Sequence, residues 1–169
     1  RTANGLQTGS SDLGLGFKYE LPQRGRFTYG VDGLFTAATG TGGYSSGAPT
    51  QTLDVDISYA ASPAVGLGTT LTGADLSGYG AAGNRARYSA FIPSFVLTAQ
   101  IPHAYQFYAE LVGQSKLAPD QGGHVFTDFG LQKLLGPYLE LDVEYGVSFT
   151  PVGGTKFNYL GIGTGIRLK

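Results

Sequence analysis

The sequence predicts an all-β fold: an antiparallel up-and-down transmembrane β-barrel, with nine strands visible, belonging to a larger even-stranded barrel. Three observations predict it. Nine segments alternate apolar and polar residues with period two, the pattern of a strand with one apolar face. Their connections alternate between short, proline-containing turns and longer loops rich in Gly, Ser and Thr, as a barrel with short turns on one rim requires. The composition, with 28 Gly, 10 Phe and 11 Tyr but only 14% charged residues, disfavours helices, because each glycine in a helix interior costs about 1 kcal/mol.

The first segment places Leu13, Leu15, Phe17, Tyr19 and Leu21 on one face and Gly14, Gly16, Lys18 and Glu20 on the other. The second sets Phe27, Tyr29, Val31 and Phe35 against Thr28, Gly30, Asp32 and Thr36. The third is the clearest, with Leu53, Val55, Ile57 and Tyr59 interleaved by Asp54, Asp56 and Ser58. The fourth opposes Val65, Leu67 and Leu71 to Gly66, Gly68, Thr70 and Thr72. The fifth, from about Arg87 to Ile101, keeps Phe91, Phe95, Leu97 and Ile101 in phase, while Ile92 and Val96 make its other face mixed. The sixth sets Tyr105, Phe107 and Leu111 against Gln106, Tyr108, Glu110 and Gln114. The seventh sets Val125, Phe129 and Leu131 against Asp128, Gly130 and Gln132. In the eighth, Leu139, Leu141, Val143, Tyr145, Val147 and Phe149 alternate with Glu140, Asp142, Glu144 and Ser148. The last opposes Leu160, Ile162, Ile166 and Leu168 to Tyr159, Gly161, Gly163, Gly165 and Arg167.

Pro22, Pro63, Pro102 and Pro137 each sit in a short turn, where the missing N–H stops the ladder. The stretches 39–50, 74–84, 117–123 and 152–157 read as the longer loops. At 169 residues the chain is one domain, with 1–11 a loop or linker and 12–169 the barrel. No run of about 18 apolar residues exists to form a spanning helix. A net charge of −1 gives no electrostatic case for nucleic acid, and the lack of cysteine rules out disulfides and thiolate metal sites within these residues.

A soluble barrel has the same period with its apolar face inward. The composition of the polar face argues for lipid outside: it is made of Gly, Thr, Ser and acids, not the Lys/Glu mixture of a solvated surface. Tyr19, Phe27, Tyr59, Phe91, Tyr105 and Phe149 recur near the ends of the apolar stripes, as interfacial aromatics do. Asp12, Glu20, Asp32, Asp54, Asp56, Glu110, Asp128, Glu140, Asp142 and Glu144 all fall on the polar phase, against Lys18, Lys116, Arg167 and Lys169. The location expected is therefore the bacterial outer membrane, with the lipid bilayer and lipopolysaccharide as partners. The residues expected to line the pore are Lys18, Glu20, Asp32, Asp54, Asp56, Glu110, Asp128, Glu140, Asp142, Glu144 and Arg167. An acidic lumen favours cations or neutral solutes over anions.

Nine is an odd number, whereas single-chain bacterial barrels are even, and an open edge in lipid leaves unpaired backbone groups costing several kcal/mol each. The expectation is that an odd number of further N-terminal strands, or another protein chain, closes the barrel.

Chemistry has few candidates. His103 lies beside Pro102 in a turn and reads as an exposed turn residue. His124, near Asp120 and Asp128, is the one histidine placed for a His–Asp pair of the kind outer-membrane enzymes use, but a catalytic role needs positioned partners. Gly161-Ile162-Gly163-Thr164-Gly165 lacks the Lys-Ser/Thr and helix of a phosphate loop, and suits a crowded barrel interior better. Asp54/Asp56 and Glu140/Asp142/Glu144 share faces and resemble Ca²⁺ ligands, yet an acidic, water-lined wall accounts for them more simply. No cofactor, metal site or catalytic residue is expected.

The stretch Thr8-Gly9-Ser10-Ser11-Asp12-Leu13-Gly14-Leu15-Gly16-Phe17-Lys18-Tyr19 resembles the TG-x-x-D-x-x-L-G-x-K-Y strand of the outer-membrane transporter family known as "MetA-pathway of phenol degradation". Gly136 to Leu141 and Asn158 to Gly163 resemble that family's closing hairpin. The resemblance covers most of this chain but only the C-terminal part of the family's longer barrel. Ser10-Ser11 departs from the usual Leu-Gly, and Leu168-Lys169 stands where a terminal aromatic is usual. The resemblance implies a passive transporter or channel for small molecules, with aromatic or other hydrophobic compounds as solutes. Two other readings are a structural barrel that anchors partner chains through the loops around Tyr44 and 74–84, and an outer-membrane enzyme using His124.

Overall fold

The structure is a computed structural model that describes residues 9–41, 44–151 and 156–166. It holds nine strands: β1 (Leu13–Glu20), β2 (Phe27–Ala37), β3 (Thr50–Ala60), β4 (Val65–Tyr79), β5 (Arg85–Ile101), β6 (Tyr105–Gln114), β7 (His124–Leu135), β8 (Leu139–Ser148) and β9 (Asn158–Ile166). They form a single sheet in sequence order, each strand antiparallel to the next. β1 and β9 are its edges, so the sheet is not closed.

The two faces differ as the alternation predicts. Outward-phase residues such as Leu53, Val55, Phe95, Leu141 and Val143 are exposed, and nothing packs over them. Among the described residues no large side chain is fully buried, so the sheet has no dry centre. The buried strand positions, Gly30, Ala74, Ala90, Val112, His124, Asp128, Gly130, Gly146 and Ser148, fall on the polar phase. Gly33 is the exception, because the Phe17 ring lies over it, 2.8 Å from where a Cβ would sit. Crowding on the polar face and splaying on the apolar face is what a curved sheet does when the polar side is concave.

Register shows that the strands are tilted. The row that begins at Phe27, the short-turn end of β2, runs through Tyr59, Leu67 and Leu97. It continues through Ala109, Phe129 and Tyr145 to Leu160, near the long-loop end of β9. A row perpendicular to the strands thus climbs from one rim toward the other, the shear a barrel needs.

Two sequence expectations change. The loop expected over 74–84 is mostly strand: β4 and β5 stay paired from Asp75↔Ser89 to Tyr79↔Arg85, leaving only 80–84 as the turn. Cross-strand contacts hold this extension, with Asp75 paired to Arg87 and the Arg85 guanidinium 4.6 Å above the Tyr79 ring. The alternation of short and long connections is therefore less strict than the sequence suggests. Asp12, expected on the first strand's polar face, lies just before β1 and belongs to a loop network.

Pro93 lies within β5 opposite Leu71 of β4, a position where an inner strand needs a donor. The β5–β6 ladder runs only as far as Ser94↔Val112, and pairing resumes where Ser115 donates its N–H to Phe91 O. At the turn 102–104, His103 (φ 67°) and Ala104 (φ 61°) both take left-handed conformations, and His103 is exposed as expected.

Candidate functional site

The polar face carries the expected charges, in two groups. On β1–β3, Lys18 faces Asp32 across the β1–β2 pair, and Asp32 faces Asp54 across β2–β3. Lys18 Nζ lies 3.6 Å from Asp32 and 3.6 Å from Asp56. Asp56 also accepts from Thr70 Oγ1 at 2.7 Å. Asp54 Oδ1 is shielded from solvent without a partner among the described residues, beside the like charge of Asp32. Glu20 is exposed near the turn end, where it helps line a groove of about 370 Å³ with Lys18, Asp56 and Ser58.

On β6–β9 the acids have hydroxyls for partners instead of a cation. The register row Tyr108–Gly130–Glu144–Gly161 crosses β6 to β9. Tyr108 lies flat over Gly130, its ring 2.6 Å from where a Cβ would sit, and donates its hydroxyl to Glu144 Oε2 at 2.8 Å. The adjacent row runs Glu110–Asp128–Gly146–Tyr159. Here Tyr159 covers Gly146 and points its hydroxyl at Asp128 Oδ2 from 3.4 Å. Below them, Gln106 Nε2 donates to Gln132 Oε1 at 3.0 Å, and Gln132 Nε2 to Glu140 Oε1 at 3.2 Å. No described residue donates to Asp142.

The structure thus brings Lys18, Glu20, Asp32, Asp54, Asp56, Glu110, Asp128, Glu140, Asp142 and Glu144 onto one face. Arg167 lies outside the described residues. The alternation placed Tyr108 and Tyr159 on the polar phase but did not reveal that each bridges a glycine to a carboxylate. The signal was the pairing of a tyrosine on one strand with a glycine on the next. Among the described residues no group of three His, Cys, Asp or Glu is placed to hold a metal ion.

His124 is 3% exposed, stacked between Phe126 and Phe157 at 5.7 and 5.4 Å, with Nδ1 2.9 Å from Thr150 Oγ1. Thr150 Oγ1 also accepts from Val125 N–H at 2.8 Å. The acids near His124 in sequence are engaged elsewhere: Asp120 accepts from Ala81 N–H at 2.6 Å, and Asp128 faces Tyr159. His124 therefore ties the 149–157 connection to β7.

At the long-loop end the connections hold one another. Gly40 N–H and Ser46 N–H each donate to Asp12 at 2.7 Å, and Ser46 Oγ donates to the same carboxylate. The Ser46 hydrogen bonds, with that of Gly40, hold the Asp12 carboxyl well below the usual carboxylate range. Ser77 Oγ donates to Ser46 O at 3.0 Å and Arg85 Nη2 to Ser45 O at 3.2 Å, so the 38–49 loop is fastened to the β4–β5 extension. Tyr88 donates to Leu117 O at 2.9 Å, which fastens the next loop to the same extension.

A NanC porin, solved in a rhombohedral crystal form, superposes on this chain with a TM-score of 0.72 at 15% identity, over 93% of this chain and 79% of that one. The fold is similar to that of a porin barrel, here as an antiparallel up-and-down sheet that is not closed. No family model matches the chain, and no curated protein matches it. The porin likeness therefore carries the architecture, and the resemblance of residues 8–19 to a transporter family has no matching family model behind it.

Proposed function

We propose that this chain forms the wall of a channel for small molecules in the bacterial outer membrane, working by passive passage without catalysis. The supporting observation is the inversion of the sheet. Its large apolar side chains are exposed along the convex face while its carboxylates gather on the concave one. In water that arrangement would expose a large apolar surface; in a bilayer it puts the apolar band against lipid and lipopolysaccharide acyl chains and the acids around a wet lumen. The porin-type fold supports the same reading.

The charge of the lumen sets the selectivity. Nine acids on the described strands face it, Glu20, Asp32, Asp54, Asp56, Glu110, Asp128, Glu140, Asp142 and Glu144, against Lys18 on those strands. Such a wall concentrates cations and admits neutral solutes. The transporter-family resemblance supports aromatic or other small hydrophobic compounds as the neutral cargo. Reconstitution of the full protein in a planar bilayer under a KCl gradient tests the proposal. The expected reversal potential has the sign of potassium preference, and preference for chloride overturns the selectivity. Absence of any conductance overturns the channel.

A further inference from the structure

The lumen face is acidic or hydroxylic along β3 and β8, where its phase carries no large apolar side chain. β5 to β7 depart from that. On β5 the same phase holds Ile92 and Val96, the two residues that made this strand's alternation mixed. Val96 lies along the wall toward β4, where a Cβ on Gly68 would stand 2.7 Å from Val96 Cγ1. The next two strands continue the departure, since Ser94 pairs with Val112 and Val112 with Phe126. Ile92, Val96 and Phe126 are half-buried, so each keeps some surface open to the lumen. Passage of ions gives these four side chains no task.

Two carboxyl groups sit beside them. The neighbouring lumen row runs Val96–Glu110–Asp128, so Val112 and Phe126 each lie two residues from an acid on their own strand. Asp128 is 6% exposed, and among the described residues its one donor is Tyr159, at 3.4 Å. No described residue donates to the Glu110 carboxylate, whose backbone carbonyl alone accepts, from Thr127. The lumen phase of β5 to β8 holds no Lys or Arg. Like charges facing each other beside an apolar row cost free energy that an arriving cation offsets. A hydrated metal ion would leave the apolar row in water, whereas a cation with an apolar body covers it.

We infer that this block of wall is a binding site for an amphipathic organic cation, an arylalkylammonium ion whose ammonium reaches Glu110 and Asp128 while its ring lies on Val96, Val112 and Phe126. The inference rests on the reading above of the concave face as a wet lumen, and it names a solute class for that lumen. Residues two apart on a strand are about 7 Å apart, a step that one such ion spans from ring to nitrogen. An apolar surface with a few convergent polar groups is the usual build of a small-molecule site. The ammonium makes charge-assisted hydrogen bonds, and these strengthen where the ring has displaced water.

Three probes separate the ring from the charge: benzylammonium carries both, methylammonium the charge alone and benzyl alcohol the ring alone. Each is titrated into the full protein in zwitterionic detergent, with binding read from the amide NMR shifts of Val96, Glu110, Val112 and Phe126. Benzylammonium is expected to saturate those shifts at a concentration at least about tenfold below either other probe. Equal binding of methylammonium shows that the apolar row contributes nothing, and equal binding of benzyl alcohol shows the same of the acids; either overturns the inference. Val96→Thr, close to isosteric and suited to a strand, is expected to weaken benzylammonium about fivefold and to leave methylammonium unchanged. Glu110→Gln is expected to weaken both ions about tenfold. The comparison of the three probes on the unaltered protein stands whether or not a variant folds. A barrel that binds benzylammonium selectively but conducts nothing defeats the channel alone, and a conducting barrel that does not discriminate among the probes defeats this inference alone.

Discussion

The two acidic regions of the polar face solve one problem in different ways. On β1–β3 a single lysine serves Asp32 and Asp56 from 3.6 Å, and Lys18 itself is 72% exposed. On β6–β9 no described cation approaches, and tyrosine hydroxyls reach Glu144 and Asp128 across glycines. The first arrangement neutralises charge but holds its geometry loosely, because exposed ion pairs are screened and pay for ordering a long side chain. The second leaves the charge in place and fixes its position. The β6–β9 wall should therefore dominate the field felt by a solute, while the β1–β3 wall adapts.

The largest difference is expected at glycine. At Gly146 a Cβ would clash with the Tyr159 ring, whereas at Gly30 it would stand 3.4 Å from Asp56 Cβ. Gly146→Ala should destabilise the barrel by about 1–3 kcal/mol, the usual cost of overpacking. Gly30→Ala should be neutral or stabilise by about 0.5 kcal/mol, since it removes freedom from the unfolded chain at an unstrained site. Denaturant titration of both variants in detergent decides the matter. Equal midpoints would show that the tyrosine is not pinned on its glycine.

This contrast also shows what the sequence could reveal. Alternation alone located nine strands and assigned every acid on them except Asp75 to a face, because period two is a local property. The β4–β5 extension was hidden because Gly73, Ser77, Gly78 and Gly80 have loop composition. Their pairing depends on Arg85, Arg87 and Ser89 returning in register. The tyrosine bridges were hidden for a deeper reason. Tyr108 and Glu144 are 36 residues apart and meet only if two successive registers are both correct. A slip of one residue in either would turn one of them to the lipid side.

Next in size is Tyr108→Phe, which keeps the ring over Gly130 and deletes the hydroxyl that Glu144 accepts. A hydrogen bond to a charged group contributes about 1.5–3 kcal/mol, toward the low end where both partners are partly solvated. The same readout should show roughly 1 kcal/mol or a little more. Lys18→Met on the opposite wall should cost under about 1 kcal/mol, as exposed pairs do, yet it removes the cation that faces Asp32 and Asp56. Its signature is thus electrical rather than thermodynamic: potassium preference should increase while the unfolding midpoint barely moves. A large stability loss with unchanged selectivity would reverse the roles assigned to the two walls.

The smallest effect concerns what steadies the β1 side from above. The loop 38–49 is anchored on Asp12, whose carboxyl is held below its ordinary value by Ser46 and Gly40. A carboxyl depressed in the native state contributes fully above its unfolded value, about pH 4, and the contribution is lost as pH falls through the native value. Amide exchange at Gly40 and Ser46 should therefore show constant protection from pH 7 down to about 5, after correction for intrinsic rates, and progressive loss below about 4. Asp12→Ala should expose both amides at every pH while leaving Val125 N–H, held by Thr150 on the far side of the sheet, unchanged. Should protection at Gly40 and Ser46 survive in that variant, the loop is held by its links to Ser77 and Arg85 instead, and the β1–β3 wall is steadied from the β4–β5 extension and not from its own edge strand.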